Sequence, residues 1–147
     1  MSKHKVEEIT ISEKASSLEA SFSKIAKSLF EIVINTEEID LAITKTLIIR
    51  ARDLKNLLFQ FLKRLFELAN NELFVLSAIK QITIEQISNE YMLNAVLIGD
   101  KMKSDYTIKD IVKQITDRNI LIREDKEGVT TQINIVVERR NVKEDEV

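Results

Sequence analysis

The chain has 147 residues, of which 44% are apolar and 31% charged, and its formal net charge is −2. This composition can bury a core and excludes an intrinsically disordered chain. The absence of cysteine excludes disulfides, thiolate metal sites and cysteine nucleophiles. No apolar run is long enough to span a bilayer or to act as a signal peptide. We therefore expect a cytoplasmic protein with one domain, or with one small domain and a helical extension.

The two ends of the chain are predicted to be tails. Residues 1–11 are expected to be flexible, although the segment VEEITI could instead add a short strand to the edge of a sheet. His4 lies between two lysines without a ligand pattern around it, so we expect a solvated side chain rather than a metal ligand or a base. Residues 141–147 are charged and form the second predicted tail.

Apolar spacing predicts two long helices over residues 12–69. The first runs from Ser12 to about Ile34, with apolar residues every three or four positions. The second runs from Thr36 to Ala69 and would be roughly 50 Å long. Its apolar stripe is wider and longer than one preceding helix can cover. We favour a homodimer with this stripe at its centre, and a monomeric helix bundle is the other explanation. The predicted dimer interface consists of Leu47, Leu54, Leu58, Phe61, Leu65 and Leu68.

Helical spacing continues over residues 72–80 and again over residues 84–102, the latter as one helix or as two. A further helix is predicted from Thr107, its N-cap, to the residue before Asn119, which is typical of a left-handed helix end. After Asn119 the apolar period changes from 3.6 to 2. This change predicts a hairpin, with strands at residues 120–123 and 131–137 and a turn in which Gly128 supplies a positive φ.

A helix that leads into a hairpin with a polar tip resembles the end of a winged-helix domain. The resemblance is at the level of the superfamily and covers roughly residues 71–139. It implies a turn at Lys103–Asp105 and a recognition helix at Tyr106–Arg118 that lies in the major groove of DNA. The expected fold is therefore mainly α with a C-terminal β-hairpin, in which long N-terminal helices precede a winged-helix domain at residues 70–140.

The resemblance also implies which side chains contact DNA. On the recognition helix they are Ser104, Tyr106, Lys109, Lys113 and Gln114. Those that would hold the phosphate backbone are Lys101, Lys103, Arg118, Arg123 and Lys126. The charge balance argues against tight non-specific binding, because residues 100–127 carry seven basic and seven acidic side chains. The tip of the hairpin is itself acidic.

Enzyme signatures are absent from the sequence. Two isolated glycines cannot form a phosphate-binding loop, and one histidine without cysteine removes the usual nucleophile–base pairs. Glu37, Glu38 and Asp40 could hold a metal, but acids in the first turn of a helix also complement its dipole, which is the simpler explanation. We therefore expect no enzyme activity, no metal and no cofactor.

The favoured function is that of a dimeric winged-helix DNA-binding protein, a small transcriptional regulator whose partner is double-stranded DNA. The alternative is a winged-helix protein-interaction module, or a structural subunit of a larger assembly, with a protein partner and no DNA contact. Winged helices of that second kind need no basic surface, so an acidic hairpin tip suits them better.

Overall fold

The computed structural model describes residues 5–140. It is mostly β, with 50% strand and 27% helix, so the prediction of a mainly α fold is wrong. The predicted tail at residues 141–147 lies outside the described residues, as does His4. The elements, in chain order, are β1 (Lys5–Ala15), α1 (Leu18–Val33), a one-turn 3₁₀ helix (Thr36–Glu38), β2 (Ile43–Ala51), α2 (Leu54–Asn71), β3 (Phe74–Ile87), β4 (Glu90–Lys101), β5 (Ile111–Ile115), β6 (Leu121–Asp125) and β7 (Gly128–Arg139).

The strands form two antiparallel sheets. In sheet A, β7 is central: β1 pairs along the whole of one edge, and β5 and β6 share the other. In sheet B the order is β2-β4-β3. The two helices contact strands of both sheets. Sheet A therefore joins the first strand to the last, while sheet B is built from the middle of the chain.

One hydrophobic core joins both helices to the inner faces of both sheets. The rings of Phe22 on α1 and Phe61 on α2 stack there, with their centroids 6.0 Å apart. All but one of the residues predicted to form a helical dimer seam belong to this core: Leu47 on β2 and Leu58, Phe61, Leu65 and Leu68 on α2 are buried. Leu54, the first residue of α2, is partly buried against it. The apolar stripe is thus covered within one chain, so it no longer argues for a dimer.

From Lys5 onwards the predicted N-terminal tail is a strand, and residues 1–4 lie outside the described residues. Its side chains alternate between exposed and partly buried positions from Val6 to Ala15, and Ile9 and Ile11 pack against the core. The strand considered for VEEITI is therefore right, at a sheet edge, and it extends further. The first helix begins later than predicted because the Ser17 hydroxyl caps it, accepting a bond from the N–H of Ala20 at 3.1 Å. It ends at Val33, close to the predicted end.

The predicted second helix over residues 36–69 is wrong in its first half. Leu47, Ile49 and Ala51 are buried while the residues between them are exposed, which is the period of a strand. Helix α2 begins only after Asp53, whose carboxylate accepts a hydrogen bond from the N–H of Asn56 at 2.7 Å. Isoleucine and threonine in ITKTLIIRA favour the extended backbone, since β-branched side chains restrict χ1 in a helix.

The helices predicted between residues 72 and 102 are the β3–β4 hairpin. Its turn lies at Ser88, with φ of 57°. Two register shifts, between Leu76 and Ala78 and between Ile79 and Gln81, interrupt the alternation along β3. Such bulges insert a residue and make a strand pattern resemble helical spacing. Gly99 allows close approach inside this hairpin, because a Cβ there would lie 2.0 Å from the carbonyl oxygen of Val75.

The predicted recognition helix does not form. Residues 102–110 are a loop, and residues 111–115 are β5. The loop is fixed to the end of α1, where the N–H of Lys109 donates to the carbonyl of Val33 at 2.7 Å. Asn119 does have a left-handed backbone, with φ of 58°, but it connects β5 to β6. The hairpin that follows is confirmed: β6 pairs with β7, and Gly128 has a positive φ of 144°.

Candidate functional site

The side of sheet A that faces away from the core carries a set of polar and charged side chains. We call it the outer face of sheet A and define it by Glu8 and Thr10 on β1, Lys113 on β5, Asn134 and Glu138 on β7, and Arg118 in the connection after β5. Strand alternation puts these positions on one side, because the odd-numbered residues of β1 and β7 point into the core.

Glu8 is held rigidly at the centre of this face. Its two carboxylate oxygens accept hydrogen bonds from Arg118 Nη2 at 2.7 Å and from Asn134 Nδ2 at 2.8 Å. The amide of Asn134 in turn accepts from Thr10 Oγ1 at 2.8 Å. Asn134 is only 8% exposed although it lies on an outer face, because these neighbours cover it. The N–H and hydroxyl of Thr116 both donate to the Asn134 carbonyl, which positions the segment that carries Arg118.

A second ion pair lies beside the first. Lys113 Nζ is 3.7 Å from Glu138 Oε1, and a bulge between Val112 and Gln114 turns the lysine onto this face. Glu8 pairs opposite Val136, so Glu8 and Glu138 are diagonal neighbours on adjacent strands, roughly 7–8 Å apart. The face therefore presents two carboxylates and two cations in a fixed arrangement.

The end of the sheet is closed by Arg139. Its Nε donates to Glu7 Oε2 at 2.9 Å and its Nη1 to Asp110 Oδ2 at 3.2 Å. The hydrogen bond from Arg139 holds the pKa of Glu7 below its usual value. Asp110 also accepts from the backbone N–H of Arg140 at 2.9 Å. This network ties the ends of β1 and β7 to the loop before β5.

Tyr106, predicted to read DNA, is instead the centre of a buried clasp. Its hydroxyl donates to Asp100 Oδ2 at 2.7 Å and accepts from the N–H of Asp40 at 2.9 Å. Lys103 Nζ lies 2.8 Å from Asp40 Oδ2 and 3.2 Å from Asp100 Oδ2. Burial raises the pKa of Tyr106, and its hydrogen bond lowers the pKa of Asp100. The clasp fixes the 102–110 loop against the segment before β2.

The ten predicted DNA contacts do not share one surface. Ser104, Tyr106, Lys109 and Lys103 lie in the 102–110 loop, Lys101 ends β4, Gln114 is on β5 and Arg123 on β6, and Lys126 is in the hairpin turn. Lys109 is 3.2 Å from Glu31 of α1 rather than exposed on a helix. Lys113 and Arg118 do lie in the candidate site, where they pair with acids.

Sequence reasoning missed Glu8, Thr10, Asn134 and Glu138. Alternation along β1 carries the signal for the first two, although most of that segment belongs to the tail predicted at residues 1–11. Asn134 lies within the predicted strand at residues 131–137, and Glu138 directly follows it. Both positions alternate with buried apolar residues of β7. Their side of the sheet could have been deduced, but their neighbours could not, because β1 pairs across more than a hundred residues.

The carboxylates of the outer face of sheet A are held in ion pairs with cations rather than grouped with one another. Within residues 5–140, no three His, Cys, Asp or Glu side chains are grouped so that they could hold a metal ion. Glu37, Glu38 and Asp40 do not form such a group, and the Asp40 carboxylate pairs with Lys103. Glu8 and Glu138 each pair with a cation. What the face can do is contact another molecule through groups fixed in advance.

A separate apolar cavity of about 270 Å³ lies where the C-terminal ends of the two helices meet the 102–110 loop. Phe30 and Phe66 contribute from the helices and Ile108 from the loop, and Asn70 is its polar residue. No helix in the part of the chain that the structure describes is long and apolar enough to cross a membrane.

Two antiparallel sheets that enclose two helices, with a charged outer face on one of them, define a two-sheet α+β protein. Comparison with known proteins identifies the family. Residues 8–137 match the model of the Archease protein family (MTH1598/TM1083). Protein archease of Pyrococcus furiosus is 30% identical over 112 residues, which are 76% of this chain and 78% of that protein. Protein archease of Thermococcus kodakarensis is 29% identical over 114 residues, 77% of this chain and 80% of that protein. The chain therefore belongs to the archease family.

A solved structure has the same fold. The solution structure of Methanobacterium thermoautotrophicum protein 1598 superimposes with a TM-score of 0.77 at 18% identity, covering 90% of this chain and 96% of that one. The winged-helix resemblance is therefore wrong, and so is the predicted DNA-binding regulator. The alternative function, a winged-helix protein-interaction module or structural subunit, is not supported either, because the fold is not a winged helix. The coarser expectation of a protein partner agrees with the family, since archease proteins act with partner proteins.

Proposed function

We propose that this chain is a protein cofactor of RNA processing, which acts in the cytoplasm on a tRNA ligase and has no catalytic activity of its own. Family membership over residues 8–137 is the observation that carries the proposal, because archease proteins are cofactors of RNA processing and of tRNA ligase. The paired carboxylates of the outer face of sheet A are consistent with a binding role, since charges that are fixed in place can be matched by a complementary partner surface.

The outer face of sheet A is the surface that we assign to the ligase. Arg118 and Glu8 form an ion pair whose side chains are 62% and 34% exposed, and exposed pairs of this kind add little to stability. Yet Asn134, Thr10 and Thr116 hold Glu8 and the Arg118 segment in place through four hydrogen bonds. Such ordering of an exposed pair is explained by recognition, because fixed charges lose less entropy when a partner binds.

The first test is RNA ligation with the tRNA ligase of the same organism and labelled tRNA halves in excess over the ligase. We expect the chain to increase the product formed per ligase molecule, and we expect no ligation by the chain alone. Unchanged product over a wide range of chain concentrations would overturn the cofactor proposal. Ligation without the ligase would overturn the statement that the chain is not an enzyme.

The second test locates the surface. Arg118→Glu and Lys113→Glu reverse charges on the outer face of sheet A and should each reduce the stimulation at least about tenfold, since like charges across an interface are costly. Lys55→Glu, at an exposed position of α2, is the matched control and should leave it unchanged. Full stimulation by both reversed variants would move the contact to another surface while the cofactor function itself stood.

A further inference from the structure

Sheet B also has an outer face, and its composition is different. Strand pairing arranges it in four rows, each with one residue from β2, one from β4 and one from β3. The central strand contributes Met92, Asn94, Val96 and Ile98, all partly exposed. Ile48, beside Asn94, is 56% exposed. These rows form a surface on which apolar side chains are mixed with threonine, asparagine and glutamine.

Two charged side chains occur at the paired positions of the four rows, both in the same row, and a third, Lys80, is exposed at the bulge between Ile79 and Gln81. Arg50 lies opposite Met92 on one side and Glu85 lies opposite it on the other. Both are exposed, and neither has an ion-pair partner within residues 5–140. They are too far apart to pair across the sheet directly, because a strand lies between them and the spacing of strands is about 4.8 Å.

This arrangement is self-complementary under one particular symmetry. A two-fold axis parallel to β4 lays β2 of one copy over β3 of the other and keeps the rows level. Arg50 then faces Glu85 of the partner subunit, and the reverse pair forms at the same time. Sheets that pack face to face are about 10 Å apart, a gap that these two long side chains can bridge. An axis across the strands would instead place Arg50 against threonine.

We propose that the outer face of sheet B is a homodimer interface whose two-fold axis runs along β4. The four rows cover on the order of 400 Å² on each copy, from the strand spacing and rise, against about 800 Å² in a standard stable interface. The dimer is therefore weak and depends on concentration. It leaves the outer face of sheet A on both copies pointing away from the interface, so it is independent of the proposed ligase contact.

The test is sedimentation velocity from about 10 µM to about 1 mM at low salt. The mass should rise from the 17.0 kDa of one chain towards twice that value. Arg50→Glu and Glu85→Arg should each weaken association at least about tenfold, because each sets like charges against one another in both pairs. The double variant Arg50→Glu/Glu85→Arg should restore it. Lys55→Glu on α2 is the control and should associate like the unchanged chain.

Both positions are exposed, so circular dichroism should report an unchanged fold in every variant. Val96→Asp gives an independent check, since it sets two carboxylates against each other on the axis and no swap can rescue it. A single chain at every concentration would overturn the proposal. So would association that survives Arg50→Glu, or a double variant that stays as weak as the single ones.

Discussion

The outer faces of the two sheets differ although they cover the same core. That of sheet A carries two ion pairs and a hydrogen-bond network around Glu8. That of sheet B has one charged row, and its other paired positions carry apolar or uncharged polar side chains, with Lys80 exposed at the β3 bulge. Folding requires only that outward positions tolerate water, which either composition does. The two proposals account for this difference, because they assign a charged partner surface to sheet A and a second copy of the chain to sheet B.

Leu58→Asp should destabilise the folded chain, and with it both outer faces, and this is the largest expected effect. Leu58 is fully buried between the sheets, so an unpaired carboxylate there should lower the free energy of unfolding by roughly 4 kcal/mol or more. Urea denaturation followed by circular dichroism measures this loss. A helical dimer seam predicts instead a folded single chain, and that outcome would contradict the core described here.

Gly99→Ala should damage sheet B more than sheet A. The added Cβ would meet the Val75 carbonyl oxygen at 2.0 Å, so the β3–β4 hairpin must move. We expect a loss of about 2–3 kcal/mol, typical of overpacking against backbone. Hydrogen exchange with mass spectrometry should show faster exchange in β3 and β4, while β1 and β7 change less. Equal acceleration in both sheets would mean that they unfold as one unit.

The Tyr106 clasp predicts loss of stability at both ends of the pH range. The pKa of Asp100 is lowered, chiefly by the Tyr106 hydroxyl, so its contribution is present above the ordinary value near 3.8 and is lost as pH falls through the lower folded value. The pKa of Lys103 is raised by hydrogen bonds to Asp40 and Asp100, so its contribution is present below 10.5 and is lost as pH rises through the higher folded value. Melting temperatures from pH 2 to pH 12 measure both effects.

The matched variant for the clasp is Tyr106→Phe, which keeps the ring and removes the hydroxyl. The melting temperature at neutral pH should fall by about 2–8 °C, the size expected for a lost buried hydrogen bond in a domain of this length. The acid-side fall in stability should also flatten, because Asp100 loses its principal donor. A variant with an unaltered melting curve at every pH would exclude the clasp as a source of stability.

Glu8→Gln should have the smallest effect on stability and still separate the two faces. Glutamine keeps the shape of the side chain, and the pair with Arg118 is exposed, so the free energy of unfolding should change by no more than about 0.5 kcal/mol. Stimulation of the ligase should fall, while association through sheet B should be unchanged in the same preparation. A fall in both would indicate that the two faces are coupled.

The sequence predicts correctly those elements in which the period of the apolar residues is uninterrupted. The β6–β7 hairpin has clean alternation and a glycine turn, and α1 has one clear apolar face, so both are correct. The strands β2, β3 and β4 were interpreted as helices because isoleucine-rich runs fit both periods and two bulges break the alternation of β3. The chain has no proline and only two glycines, so neither residue type marks the turns at Asp53 and Ser88 in the sequence.

The candidate site was predicted only in fragments. The sequence predicts Lys113 and Arg118 as site residues, but for contact with DNA from a helix that does not form. Glu8 could not be paired with Asn134 from local pattern, because their strands meet through the tertiary structure. A search for polar residues that alternate with buried isoleucines would have found both strands separately, without showing that they are neighbours.

The pairing of β1 with β7 has a consequence for how the protein is made on the ribosome. Sheet B lies within residues 43–101 and can close while synthesis continues, whereas β1 must wait for residues 128–139. At about 5–20 residues per second, that delay is on the order of ten seconds. During this interval the backbone edge of β1 that pairs with β7 has no strand partner, so the nascent chain has a window in which chaperones can bind it. Strand β7, the last strand among the described residues, therefore completes the sheet that carries the candidate site.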